Sequence, residues 1–198
     1  MRTCDLTAPT RVALLFVTTL IAACGGGGGD APSATSPVAA TPATPATPDD
    51  PTATCGLPNF ASAALALVNQ KRAAGANCGI HGSFAPAAPL TWKALLNQAA
   101  NGHSADMSAQ NYFSHTSKDG RTLSNRIDAT GYAWASIGEN IAAGYPTVQA
   151  VVDGWMASDG HCANIMAPDF SEMGLACVPG TASTQYSNYW TMDLAKPQ

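Results

Sequence analysis

Apolar residues recur at helical spacing over four stretches of this chain and at alternating spacing over three. The clearest stripe is Val148, Val151, Val152, Trp155 and Met156, an i, i+3, i+4, i+7, i+8 set that predicts a helix over residues 147–157. Ala61, Ala64, Leu65 and Val68, followed by the stem of Arg72, predict another over 61–74, with Gly75 where a C-terminal cap belongs. Over 91–110, with Thr91 as candidate N-cap, the line Leu95, Ala99, His103, Met107 repeats every four residues and places His103 among apolar neighbours. A shorter helix is expected over 122–129. Residues 137–142, 173–178 and 187–194 read as strands; in the last, Tyr189, Thr191 and Asp193 alternate with Trp190, Met192 and Leu194. Helices come first and strands lie between and after them, with no regular strand–helix–strand alternation. That order predicts an α+β domain on a small, mainly antiparallel sheet.

The first residues show no such pattern. Arg2 and Arg11 make a weakly basic start, Val12 to Ala23 is apolar, and Ile21-Ala22-Ala23-Cys24 ends the run with small residues ahead of a cysteine. The run is too short for a permanent membrane span and reads as an export signal over 1–23. Small residues before Cys resemble the bacterial lipobox, which implies that Cys24 becomes the lipid-bearing N-terminus and ties the protein to a membrane. Residues 24–53 are Gly, Ala, Thr and Pro for the most part, including Thr41-Pro42-Ala43-Thr44-Pro45-Ala46-Thr47-Pro48. This composition buries no core and favours extended polyproline conformations, so it reads as a semi-rigid spacer to a single domain over 54–198. The expected location is the cell envelope, at the outer membrane if the cell is Gram-negative, or outside the cell.

Between residues 54 and 198 stand seven Lys or Arg against nine Asp or Glu, which argues against nucleic acid as a partner. Four cysteines remain in the domain, Cys55, Cys78, Cys162 and Cys177, and four allow three pairings. Export favours disulfides, and the near-neighbour pairing Cys55–Cys78 with Cys162–Cys177 keeps each bridge within one local segment. No two of them have the spacing of a cysteine zinc site.

Acids and imidazoles are scarce, yet three of them sit in small motifs: Phe113-Ser114-His115, Gly138-Glu139-Asn140-Ile141 and Gly160-His161-Cys162-Ala163-Asn164-Ile165-Met166. Together with Leu90-Thr91-Trp92, His103, Asn111-Tyr112, Asp119-Gly120, Arg126, Gly131-Tyr132, Trp155-Met156-Ala157-Ser158 and Tyr189-Trp190, in this order over nearly all of 60–195, they resemble a bacterial member of the CAP superfamily, the SCP-like extracellular domains. The resemblance implies a three-layer α-β-α sandwich around a central, mainly antiparallel sheet. It also implies a large cleft holding two His and two acidic residues, with His115, Glu139 and His161 in three of the four places. The fourth departs: where animal and plant members have a Glu, this chain reads Ser158-Asp159, which leaves open whether Asp159 turns into the cleft.

Three uses of the trio are chemically open. Two neutral imidazoles and a carboxylate are a ligand set for a divalent metal such as zinc. Glu139 orienting an imidazole makes a general base. A buried Glu flanked by His also satisfies all three groups by mutual hydrogen bonds and fixes the surrounding loops. Ser114 adjoins His115 but points to the opposite face in an extended segment, and no Gly-x-Ser-x-Gly elbow is present, so no nucleophile is identified. The reading is therefore a membrane-tethered binding or interaction module, with a lipid or protein as ligand, rather than an enzyme. A metal-dependent hydrolase acting on envelope or extracellular polymers is the alternative. Asn140 and Asn164 are expected to brace loop backbones, Arg126 to bind carbonyls or a carboxylate, and His103 to be a core histidine with one hydrogen bond.

Overall fold

The structure, a computed structural model, describes residues 53–198. The expected signal segment, Cys24 and nearly all of the spacer lie outside the described residues. Among those described, helix α1 spans Phe60–Ala74, a short ribbon pairs β1 (Ala76–Asn77) with β2 (Ser83–Phe84), and β3 is Thr91–Trp92. Then come α2 (Ala94–Gln110), α3 (Leu123–Asp128), β4 (Trp134–Ala143), α4 (Val148–Met156), α5 (Asp159–Met166), β5 (Glu172–Pro179) and β6 (Asn188–Pro197). The sheet runs β3-β5-β6-β4, antiparallel except where β3 meets β5. Helices α1, α4 and α5 pack together on one face, and α2 with α3 covers the other. This is the α-β-α sandwich.

Strand alternation sorts the two cores. Trp190, Met192 and Leu194 of β6 join Met173, Leu175 and Cys177 of β5 under the Val148, Val151, Val152, Trp155 stripe of α4. Residues Thr191 and Asp193 point the other way, to α2, where Ser104 donates to the Thr191 hydroxyl at 2.8 Å. Helix α4 starts where Thr147 accepts the Ala150 N–H, and α3 where Thr122 and Asn125 cap each other reciprocally. Arg72 lies wholly buried in α1, its guanidinium donating to the carbonyls of Ala88, Ile165, Ala167 and Phe170, which ties α1 to the end of α5.

Several expectations are corrected. Thr91 does not cap α2: its N–H goes to Ser171 O and the Lys93 N–H to Met173 O, because pairing along the exposed edge of β5 takes these groups and delays the helix to Ala94. The buried line of α2 includes Leu96 rather than Leu95, which is only half-buried. Helix α5 stands where the sequence reading places no element, although Cys162, Ile165 and Met166 supply a short i, i+3, i+4 stripe. The disulfides join Cys55 to Cys177 and Cys78 to Cys162, not the near neighbours. Residues 53–55 lie along β5, with Cys55 N–H on Cys177 O and Cys177 N–H on Ala53 O at 2.9 and 2.8 Å, so Cys55 stands beside Cys177. Cys78, ahead of the 3-10 turn Gly79–His81, meets α5 at Cys162. Proximity in sequence lost to the path of the chain through the sheet.

Candidate functional site

Glu139 lies in the middle of β4, on the face turned to α2 and α3, and is buried. Its Oε2 accepts from Arg126 Nη2 of α3 at 2.6 Å and its Oε1 from His115 Nδ1 at 2.7 Å. A carboxylate oxygen only accepts, so the His115 proton on this side is on Nδ1 and its Nε2 is turned outward. Arg126 also donates from Nη1 to Arg121 O at 3.1 Å, fixing the loop between α2 and α3. That loop is held from below as well: His103, fully buried in α2, donates from Nε2 to Ser114 O at 2.9 Å. His103, the Ser114 carbonyl, His115, Glu139 and Arg126 thus form one connected chain of polar contacts.

Opposite Glu139 in the register of the sheet stands Asp193 of β6, fully buried, with neither carboxyl oxygen meeting a donor group. Burial first, and then the charge of Glu139, push the Asp193 carboxyl well above the usual carboxylate range, against the opposing pull of Arg126. Once protonated, Asp193 becomes the donor toward Glu139 that ordinary donor groups do not supply. Burial also raises Glu139, but the hydrogen bond from His115 and the Arg126 charge outweigh it and hold this carboxyl below its usual value. The two acids are thus shifted in opposite directions, Asp193 toward its neutral form and Glu139 toward its ionised one. Sequence reading missed Asp193 as a site residue; the signal was an acid in a strand between Met192 and Leu194, on the same side as Thr191.

His161 reaches the site from the other face of β4. Asn140 Nδ2 donates to His161 O at 3.0 Å, and Asn164 Nδ2 donates to Glu139 O and Asn140 Oδ1 at 3.1 and 2.9 Å, so the two asparagines clamp α5 onto β4. The His161 imidazole is half-buried, its pKa lowered by burial first and then by the neighbouring His115. Asp159 does not face this region: its Oδ2 accepts the Ile80 N–H at 3.0 Å, beside Gly79, whose missing Cβ makes room for the carboxylate. His115 and Glu139 are thus in direct contact, His161 is within electrostatic range of His115, and Asp159 is elsewhere. Among the described residues no three His, Cys, Asp or Glu side chains stand together as a metal ion requires. Each oxygen of Glu139 already accepts one hydrogen bond, from His115 or from Arg126.

Beside His161 opens a cleft of about 290 Å³. Phe113, Tyr145, Trp155 and Tyr186 line it together with Ile141, Ser158 and His161. The Trp155 indole N–H donates to Ile141 O at 3.1 Å, which turns the ring into the wall. No helix among the described residues is long and apolar enough to cross a membrane.

The family model of CAP, the cysteine-rich secretory protein family, matches residues 65–194. The chain is 38% identical over 88 residues to the uncharacterized membrane protein YlbC of Bacillus subtilis (strain 168), an alignment covering 44% of this chain and 25% of YlbC. The chain thus spans about a quarter of that relative's length. In structure it is similar to an extracellular protein containing a SCP domain from Bacillus anthracis, with a TM-score of 0.55 at 28% identity over 68% of this chain and 39% of the other. An outer surface protein from Borrelia burgdorferi shares the fold, with a TM-score of 0.51 at 19% identity over 57% of this chain and 80% of its own.

Proposed function

The chain belongs to the cysteine-rich secretory protein (CAP) family, and from that premise we propose that it is an extracellular, membrane-tethered binding module whose ligand site is the aromatic cleft beside His161. The observation that carries this reading is the state of Glu139. Its two oxygens are occupied by Arg126 and His115, so the acid at the centre of the polar cluster is a bracket that holds the loop between α2 and α3 against the sheet. The open surface lies beside His161, lined by aromatic and small apolar residues with a few polar groups, which is the usual make-up of a small-molecule pocket. Location outside the cell is supported by the export pattern of residues 1–23, by two disulfides, and by the extracellular description of the Bacillus anthracis SCP-domain protein.

Two measurements test the reading. Ser158→Trp fills the cleft while leaving His115, Glu139 and Arg126 alone; it is expected to abolish binding of whatever amphiphile, sugar or peptide co-purifies with or is captured by the full chain. Metal analysis of the full chain with and without His115→Ala and His161→Ala is expected to show no stoichiometric zinc that both variants lose. Zinc bound one to one and lost in both would overturn the binding-module reading in favour of a metal-dependent enzyme. Tethering through Cys24 is tested by Cys24→Ser, which is expected to release the protein from the membrane fraction.

A further inference from the structure

The cleft beside His161 carries a mixture of groups that narrows its ligand. No Lys, Arg, Asp or Glu lines it, so no permanently charged side chain there selects for a carboxylate, a phosphate or an ammonium group. Its volume of about 290 Å³ sits at the small end of ligand pockets, roughly 300–1,000 Å³, which suits one compact ring better than a long chain. Aromatic side chains come from Phe113, Tyr186 and Tyr145.

The polar groups of the cleft decide between an alkyl and a hydroxylated ligand. Elsewhere in the domain Tyr112 and Tyr132 use their hydroxyls internally, on Asp106 and Glu172, while that of Tyr189 is buried without a partner among the described residues. At the cleft the hydroxyls of Tyr145, Tyr186 and Ser158 and the ring of His161 bond to no other described residue. Ser158 is the more telling because it stands at the N-cap of α5, where a serine ordinarily caps the helix, and its side chain makes no cap. An alkyl chain seated here would strip water from these groups and leave them unpaired, which opposes its binding. A ring bearing hydroxyls pairs with them and lays its C–H face on the aromatic planes.

The frame is also preorganised. The Tyr145 carbonyl receives Asn188 Nδ2 and the Trp190 indole N–H at 2.9 and 3.1 Å, and its ring lies over Gly154, where a Cβ would stand 2.6 Å from the phenol oxygen. Tyr186 packs edge-on to both Phe113 and Tyr189, with centroids 5.7 and 5.8 Å apart. Rigid rings lose little entropy on binding.

We propose that the cleft formed by Phe113, Tyr145, Trp155, Tyr186, Ser158 and His161 binds a neutral pyranose unit of an extracellular glycan. This rests on the reading of the cleft as the ligand site and names the ligand class. The test uses the full chain with three probes, cellotriose, the β-1,4-linked trisaccharide of N-acetylglucosamine, and sodium decanoate, followed by saturation-transfer NMR and calorimetry. Saturable binding of a trisaccharide at about 1 mM or tighter is expected. Tyr186→Ala is expected to weaken it about tenfold or more, while Tyr186→Phe and Ser158→Ala, which keep the packing and delete one hydroxyl, weaken it several-fold.

Absence of saturable sugar binding up to about 10 mM, or sugar binding that none of these variants changes, overturns the proposal. Decanoate bound by the wild type, lost in Ser158→Trp, and no sugar bound would mean that the cleft takes an alkyl ligand: the glycan assignment fails and the binding-module reading stands. If no probe binds and Ser158→Trp changes nothing captured by the protein, both fail together.

Discussion

Arg126 and Glu139 form an ion pair inside the domain, Nη2 to Oε2 at 2.6 Å, with each side chain 3% exposed. The pair joins α3 to the centre of the sheet. Its second partner, His115, is 57% exposed, so the desolvated part of the cluster is the guanidinium and the carboxylate. An ion pair this deep gains little over a well-packed apolar pair, but removing one member strands the other. Arg126→Met is therefore expected to destabilise by about 3–5 kcal/mol, and Glu139→Gln in the same background to recover much of the loss. Urea denaturation of the two single variants and the double variant measures the coupling; additive losses would show that the two side chains do not depend on each other.

Asp193 gives the domain an unusual pH response. An acid whose folded pKa lies above its unfolded one binds more protons in the native state, so its contribution favours folding at low pH. That contribution falls as pH rises from 3.8, the unperturbed value, through the raised folded one. Glu139, held low, works in the opposite sense: its stabilisation is present above 4.5 and is lost as pH falls through its folded pKa. His103 and His161, both lowered chiefly by burial, also destabilise the fold as pH drops below 6.5, because the unfolded chain takes up the protons first. Asp193→Asn keeps a neutral group facing Glu139 and removes only the first effect. The stability of this variant relative to wild type is expected to grow between about pH 4 and pH 8. Denaturant midpoints at four pH values decide it, and a difference that is flat or shrinks with pH counts against a protonated Asp193.

How far the sequence carried the fold depends on whether a signal was local. The α4 stripe and the alternation of Trp190, Met192 and Leu194 against Thr191 and Asp193 needed only their own periodicity, and both faces lie where that periodicity puts them. Thr91 had two destinations, helix cap or sheet edge, and the edge of β5 that claimed it comes eighty residues later in the chain. Asp159 was a similar case, its acceptor used by the Ile80 N–H across from α5. The meeting of Glu139 with Asp193 was out of reach because it needs the β4–β6 register. Arg126 was expected to bind carbonyls or a carboxylate, but that these are the Arg121 carbonyl and Glu139 follows only from where α3 packs. The aromatic cleft draws its walls from β4, α4, α5, the Phe113 loop and the β5–β6 hairpin, so no single segment announced it.

The disulfides supply a third prediction, because each closes a long stretch of chain. Cys55–Cys177 spans 122 residues and Cys78–Cys162 spans 84. On loop-entropy grounds loops of this length stabilise by about 4–5 kcal/mol each, more than the bridges between near neighbours would supply. Cys55→Ala/Cys177→Ala is expected to lower stability by that order and to loosen the cover over the edge of β5, where residues 53–55 are tied. Peptide mapping without reduction is expected to recover Cys55 joined to Cys177 and Cys78 joined to Cys162; near-neighbour peptides would contradict this path of the chain.

The packing between β5 and α2 turns on one hydrogen atom. Gly174 faces α2 on β5, and a Cβ there would overlap the backbone of Leu96 and Asn97. Backbone cannot swing aside as a flexible side chain does, so α2 has to lift. Asn97 Nδ2 donates to Leu175 O at 2.7 Å, and Ala100 packs on Ala176, contacts that a lifted helix would lose along with close packing over the centre of the sheet. His103 rides on the same helix, so the carbonyl of Ser114 and with it His115 would move away from Glu139. Gly174→Ala is therefore expected to cost about 1–3 kcal/mol or more. It is also expected to shift the His115 ring resonances, whereas Gly102→Ala, on the same helix with open space at its Cβ, leaves them in place. A Gly174→Ala protein with wild-type stability and unchanged His115 signals would mean that the helix is free to move and that the polar cluster is not coupled to this contact.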